Sequence, residues 1–190
     1  EFLTFLKNKF EKLGLYTQNL SKIIADFSDY YKPNKEAEIL LINRVIAKAY
    51  SIIEDTLNSS DINIVLNLRS IKELSLHENE FMQVILNILN NAREQFILCG
   101  IENAEILINS FDEDDMAVLE ISNNAGQIDE EIITQIFDPY FSTKLQENGT
   151  GLGLHMSKNI IEKHHNGTIE VVNTDDGVKF TIKIKAVQNG

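Results

Sequence analysis

Several common ingredients are scarce in this chain, and each scarcity removes a class of protein. There is one cysteine, Cys99. A single thiol cannot form an internal disulfide, so a disulfide-stapled scaffold is excluded and a reducing, cytoplasmic setting is expected. No apolar run comes near the ~18 residues that a membrane-spanning helix requires. No basic-then-apolar leader with a small-residue cleavage site is visible. A membrane, if the protein meets one, is expected to be reached through segments upstream of Glu1. Basic residues are in the minority: 17 Lys and Arg against 29 Asp and Glu give a net charge of −12. A nucleic-acid binder needs a basic face to neutralise phosphates, so nucleic acid is not an expected partner. Only two prolines occur, Pro33 and Pro139, and both punctuate the pattern.

What is present suits a folded domain. Of 190 residues, 43% are hydrophobic and 24% charged, enough apolar material for a core and room for one globular unit with a small appendage. The first residue, Glu1, falls inside a helical pattern, so a longer parent is expected. Apolar or tolerated residues recur at Leu6, Phe10, Leu13, Thr17, Leu20, Ile24, Phe27 and Tyr31. The steps alternate four and three, which is a heptad seam. Gly14 weakens its middle. Pro33 ends it, having no amide hydrogen and restricting the residue before it. Such a helix could pack on its own domain. The seam precedes the globular part, however, which favours a helix shared with a second chain and hence a homodimer in the parent. The expected division is 1–33 for this helix and 34–190 for the globular unit.

From residue 34 the pattern alternates α and β. Strands are expected at 37–42, 62–68, 104–110, 116–122, 167–173 and 178–185, and helices at 43–57, 80–98 and 151–164. In the first of these helices Val45, Ile46, Ala49, Ile52 and Ile53 are expected to face inward. In the second strand Ile62, Ile64, Leu66 and Leu68 alternate, which is strand periodicity. An acidic turn at 111–115 and Asp175-Asp176-Gly177 join pairs of strands. The span 123–150 reads as a long connection with one helical turn near 132–137. The predicted fold class is α+β: a mixed sheet with helices on one face, a two-layer α/β sandwich, preceded by a long N-terminal helix.

Three features carry chemistry. On the helix 80–98, Asn87 and Asn91 lie four apart, on neighbouring turns of one face. Amides bordering a core must be hydrogen-bonded or cost about 1–3 kcal/mol. Their oxygens suit a hard cation such as magnesium, which accepts phosphate oxygens as its other ligands. Two ordinary surface asparagines would look the same. Next, Gly149-Thr150-Gly151-Leu152-Gly153-Leu154 leads directly into a helix. Glycines let backbone amides approach phosphate oxygens, and a helix start adds a positive dipole end. A simple turn is the bland alternative. It lacks the preceding strand of a Rossmann fingerprint and the Gly-Lys-Ser/Thr ending of a P-loop. Third, Phe137-Asp138-Pro139-Tyr140-Phe141-Ser142-Thr143-Lys144 places three aromatics in a loop-like stretch. They are expected to pack as a satellite core under a lid, with Lys144 as a cation able to reach a phosphate.

Taken in this order and spacing, the Asn-rich helix, a polar loop after a strand, Phe-Asp-Pro-Tyr-Phe-Ser-Thr-Lys and Gly-Thr-Gly-Leu-Gly-Leu resemble the catalytic, ATP-binding domain of bacterial sensor histidine kinases. The resemblance covers about 37–185, and 26–33 is similar to the end of that family's dimerisation stalk. It implies the Bergerat ATP-binding fold and a two-component kinase using Mg-ATP. Its γ-phosphoryl group would go to a stalk histidine outside this chain and then to an aspartate of a response-regulator partner. It further implies that Asn91 holds the magnesium, with Asn87 beside it. Ile128 lines the adenine pocket, Lys144 belongs to the lid, and Gly149, Thr150, Gly151, Leu152 and Gly153 wrap the phosphates. ATPase relatives carry a Glu one turn before the magnesium Asn as general base. Asn87 stands there instead, and an amide accepts no proton near neutral pH. ATP binding without efficient hydrolysis is therefore expected.

The chain departs from that family in two places. The loop that usually reads Asp-x-Gly-x-Gly-Ile is here Asn123-Asn124-Ala125-Gly126-Gln127-Ile128. Asn123 can still accept a hydrogen bond from the adenine amino group, losing the charge assistance worth about 1–2 kcal/mol. Gln127 is expected to crowd the pocket or to demand an unusual φ beside Gly126. These changes motivate an alternative, a degenerate ATP-binding module acting through dimer and partner contacts. The second departure is the phosphoacceptor. The histidines are His77, His155, His164 and His165, none in an acceptor-like context with a following proline. All are read as surface or capping residues, so no autophosphorylation is expected within the chain.

Overall fold

The structure, a computed structural model, describes Lys9, residues 36–142 and residues 151–187. Apart from Lys9, the expected helix over 1–33 lies outside the described residues. So do Lys144, Gly149 and Thr150.

Two helices and one sheet make the core. Helix α1, Ile42–Asn58, buries Ile42, Val45, Ile46, Ala49, Ile53 and Leu57. Those positions recur every three or four residues, so they share one face. Ile52, expected inward, is 55% exposed, because it falls off that stripe. Helix α2, Glu78–Cys99, buries Phe81, Val84, Ile85, Ile88, Leu89, Ala92 and Phe96 on its own stripe. Burying each such Leu, Ile or Phe contributes about 1.5–3 kcal/mol.

The sheet strands are β2 (Asn63–Leu68), β4 (Glu105–Glu113), β5 (Met116–Asn123), β6 (Thr168–Asn173) and β7 (Val178–Lys185). Their order is β2-β4-β5-β7-β6. β2 runs parallel to β4, and the remaining neighbours are antiparallel, so the sheet is mixed. Alternate residues, among them Ile106, Ile108, Leu119, Ile121, Phe180 and Ile182, are buried in the core. The intervening residues carry polar pairs such as Lys179 with Glu120 at 2.8 Å and Asn67 with Asn109 at 3.1 Å. One face is thus apolar and helix-covered and the other polar, the two-layer sandwich expected.

Four local departures have physical causes. A two-stranded antiparallel ribbon pairs β1 (Glu38–Leu41) with β3 (Glu73–Leu76). β3 was not expected. Its alternation is only Leu74 and Leu76, both buried, and four residues are too few to read. β4 runs on through the acidic residues to Glu113, because the Asp112 carboxylate accepts the Ser70 hydroxyl at 2.6 Å and the Ile71 amide at 3.1 Å. The stretch near 132–137 forms a chain of turns. Ile132 N–H donates to Asp129, Gln135 to Ile132 and Asp138 to Gln135, at 2.8–3.0 Å. Finally, the helix expected over 151–164 divides into α3, Gly153–Asn159, and a five-residue π-helix, Ile160–His164.

Candidate nucleotide site

The Asn-rich face of α2 meets the start of α3. Asn87 donates from its amide nitrogen to the Gly153 carbonyl at 2.7 Å and to the Ser157 hydroxyl at 3.2 Å. Ser157, fully buried, donates to the same Gly153 carbonyl at 3.0 Å. A Cβ on Gly153 would come within 3.0–3.2 Å of the Asn87 amide. The Asn87 amide nitrogen thus holds the glycine turn, one helical turn before Asn91. Asn91, one turn further along α2 and half-buried, has no side-chain hydrogen bond among the described residues. Its amide oxygen is thus open to an incoming ligand. No cluster of three or more His, Cys, Asp or Glu among the described residues could hold a metal. One amide oxygen is too few ligands for a free magnesium site, but it suits an ion that arrives already bound to phosphate oxygens and keeps its waters.

The aromatic stretch closes against the same turn. Tyr140 N–H donates to the Gly151 carbonyl at 2.9 Å. A Cβ on Gly151 would lie 2.5 Å from the Tyr140 carbonyl carbon and 2.8 Å from the Phe141 oxygen, so only glycine fits. Phe137 and Phe141 pack on the main core, and Phe137 meets Phe180 edge-on with centroids 6.5 Å apart. Tyr140 is 77% exposed. The satellite core of three aromatics is thereby corrected to two residues on the main core and one in solvent. Tyr140 takes a left-handed φ of 65°, which turns its side chain away. Leu152 lies between the two glycines, half-buried.

The loop after β5 is fastened to the β6–β7 turn. Asn123 is buried, and its side-chain oxygen accepts the Ala125 amide at 3.0 Å, which leaves that oxygen a second lone pair. Asn124 is spent on the scaffold, accepting the Glu105 amide at 2.8 Å and donating to the Asn103 carbonyl at 3.0 Å. Gly126 carries the positive φ, 92°, and its amide donates to the Asp176 carbonyl at 3.1 Å. Gln127 needs no unusual φ. Its side chain is exposed and donates to the Thr174 carbonyl at 2.6 Å. The unusual φ expected there is corrected accordingly. Ile128 packs against the core, and the Asn173 side chain bridges its amide at 2.9 Å and its carbonyl at 2.7 Å. Gly177 makes this closeness possible: a Cβ there would sit 1.8 Å from the Asn123 carbonyl oxygen.

Beside the site, His165 joins two elements. Of the surface or capping places expected for the histidines it takes the second: it is buried and caps the π-helix. Its Nδ1 donates to the Ile160 carbonyl at 3.0 Å, and its Nε2 accepts the backbone amide of His77 at 3.1 Å. Burial holds its pKa below the ordinary histidine value, against a smaller upward pull from the Ile160 hydrogen bond and the Glu80 charge. His164 Nδ1 lies 2.7 Å from Glu80. Asn173, His155 and His165 were missed as site-forming residues. Asn173 and Ile128 are 45 positions apart, and no local pattern announces such a pairing.

The match to known proteins follows the same architecture. Residues 76–188 match the family model described as histidine kinase-, DNA gyrase B-, and HSP90-like ATPase. The chain belongs to that family. Among solved structures it is similar to the catalytic domain of histidine kinase ThkA in a nucleotide-free form, with 30% identity, a TM-score of 0.71, and coverage of 80% of this chain and 97% of that one. It is similar also to histidine kinase ThkA solved in complex with response regulator protein TrrA, with 25% identity, a TM-score of 0.71, and coverage of 90% and 48%. Among curated relatives it is similar to sensor histidine kinase ZraS of Escherichia coli K12, 26% identical over 166 residues, 86% of this chain and 34% of ZraS. The curated relatives matched are spanned only in part, between 12% and 36% of their length. Within the family, this chain is a histidine kinase catalytic domain with the Bergerat ATP-binding fold. Among the described residues no helix is long and apolar enough to cross a membrane.

Proposed function

We propose that this domain binds Mg-ATP between α2, the 123–128 loop and the glycine turn, and that the parent kinase uses it to phosphorylate a stalk histidine outside this chain. The observation that carries the proposal is the Asn87–Gly153 bond of 2.7 Å. It sets the Asn91 face of α2 beside the glycine turn, so a cation on Asn91 and phosphates on the turn's amides would be neighbours. Asn91 would supply one oxygen to magnesium. Asn123 would accept from the adenine amino group, with Gly126 and Ile128 shaping that end of the pocket. Gly151, Leu152 and Gly153, with Gly149, Thr150 and Lys144 upstream, would surround the phosphates. Bound magnesium would neutralise charge on the phosphates during transfer.

Water is a poor acceptor in this site. Position 87 holds a donor already engaged by the Gly153 carbonyl, so no group there can take a proton from water. The proposal therefore extends to a protein acceptor, then to a response-regulator aspartate, in a cytoplasmic homodimer joined through 1–33, with 34–190 as the catalytic unit. The degenerate-module alternative loses its main support, since Gln127 points to Thr174.

Isothermal titration of this chain with Mg-ADP and a non-hydrolysable ATP analogue tests the proposal, with Asn91→Ala as control. Binding at micromolar to sub-millimolar strength that the control loses is the expected result. A folded protein that binds nothing at millimolar nucleotide would overturn it.

A further inference from the structure

We propose that His155 is a positioning residue of this kinase domain: through the Phe137 carbonyl it sets the backbone of the Gly151–Gly153 turn. The proposal rests on the reading of that turn as the element facing the phosphates.

The run of turns that begins at Asp129 continues past Phe137, but among the described residues no backbone amide reaches the Phe137 carbonyl. It accepts instead from His155 Nδ1 at 3.0 Å. A carbonyl can only accept, so Nδ1 carries the proton and Nε2 offers a lone pair. The Asn159 amide donates to that lone pair at 2.9 Å. Both ring nitrogens are thus occupied and the tautomer is fixed from the next turn of α3. With both ring nitrogens engaged by neighbouring groups, the imidazole has a geometric role.

The same helix also grips the Phe137 side chain. Lys158 Nζ lies 5.4 Å from the ring centroid, and Phe180 meets the ring edge-on. Phe137 is therefore held by its backbone and by its ring. Three residues later Tyr140 bonds Gly151 at 2.9 Å and presses on it so closely that no Cβ fits. The stretch 137–141 acts as a strut. One end is pinned by His155, and the other bears on the first glycine of the turn. Asn87 holds the turn from the opposite side, at Gly153. Two restraints from two elements fix three residues, and His155 supplies one of them without touching the turn.

The test compares this chain with His155→Ala and His155→Asn. Asparagine places its Nδ2 where the histidine has Nδ1 and so keeps the donor. Each protein is titrated with adenosine and with Mg-ADP, and amide hydrogen exchange is followed at Tyr140. We expect His155→Ala to weaken Mg-ADP about tenfold, the scale of one hydrogen bond, with adenosine unchanged within about twofold and Tyr140 exchange accelerated. His155→Asn recovers most of the Mg-ADP affinity and the slow exchange. Equal losses for adenosine and Mg-ADP would overturn the proposal, as would no loss in His155→Ala or an asparagine variant that behaves like alanine. If the unsubstituted chain binds no Mg-ADP, the nucleotide reading of the turn fails. The exchange at Tyr140 then still decides whether His155 pins the strut, and unchanged exchange in His155→Ala sinks that too.

Discussion

Asn87 and Gly153 are fitted to each other: the amide of one donates to the carbonyl of the other at 2.7 Å, and a Cβ on the glycine would come 3.0 Å from that amide's oxygen. The bond and the missing side chain are one adaptation. It joins the longest helix of the domain to the start of α3, and so ties the Asn91 face to the glycine turn.

A double-mutant cycle reads this fit directly. Gly153→Ala should cost about 1–2 kcal/mol by overpacking, because Asn87 is held by two acceptors and cannot yield cheaply. In an Asn87→Ala background the same change should be neutral or stabilising, since alanine outranks glycine in a helix by about 1 kcal/mol. Urea unfolding of the four proteins gives the coupling. Additive costs would show that the two residues do not share the space.

Gly177→Ala strikes the 123–128 loop, proposed above to meet adenine, from behind. The new Cβ would meet the Asn123 backbone at 1.8 Å, and neither hairpin nor loop can move without breaking the Gly126–Asp176 and Gln127–Thr174 bonds. We expect a loss of about 3 kcal/mol in stability and weaker adenosine binding in the fraction that folds. A melting temperature equal to that of the unsubstituted chain would contradict this.

Much of the architecture could be read from the chain, and the failures share one cause. The stripes of α1 and α2 and the alternation of β5 and β7 are local patterns, so periodicity finds them. The glycine turn and the two asparagines could be singled out as a candidate site because their residue types suit ligands. How Asn87, Asn173, His155 and His165 tie one element to another was not legible, since the partner that makes each tie lies 18 to 88 positions away. Ile52 misled because a helical stripe has edges, and Tyr140 because an aromatic in a loop need not be buried. β3 was too short to show a period.

Acid should loosen the joint between α2 and the π-helix. His165 is neutral in the fold with its pKa held down by burial, whereas in the unfolded chain it takes a proton near pH ~6.5. Below that pH the unfolded state binds more protons. This contribution is therefore complete above about pH 6.5 and drains as pH falls. One unit lower, the loss is at most about 1.4 kcal/mol. Urea unfolding at pH 7.5 and 5.5 should show a larger acid penalty for the unsubstituted chain than for His165→Gln. Equal penalties would exclude His165 as the source.

Asp112→Ala should release the connection between β2 and β3. Its carboxylate accepts from Ser70 and Ile71, and Ser70 is buried, so orphaning these donors costs about 1–3 kcal/mol. Hydrogen exchange at Ile71 should quicken while that of the β5–β7 ladder keeps its rank order. Unchanged exchange at Ile71 would mean that the backbone holds the connection unaided.

The π-helix at Ile160–His164 works as a phase shifter. A regular α-helix advances about 100° per residue, and one surplus residue rotates everything after it by that step relative to everything before. On the near side of the shift lie the contacts of Gly153, His155 and Ser157. On the far side His164 meets Glu80 and His165 meets His77. Both sets dock on their neighbours only because the two halves are offset. Deleting any one residue of the π-helix would produce a more regular helix and a worse-fitting protein, with either the glycine turn or the histidine joint facing the wrong way.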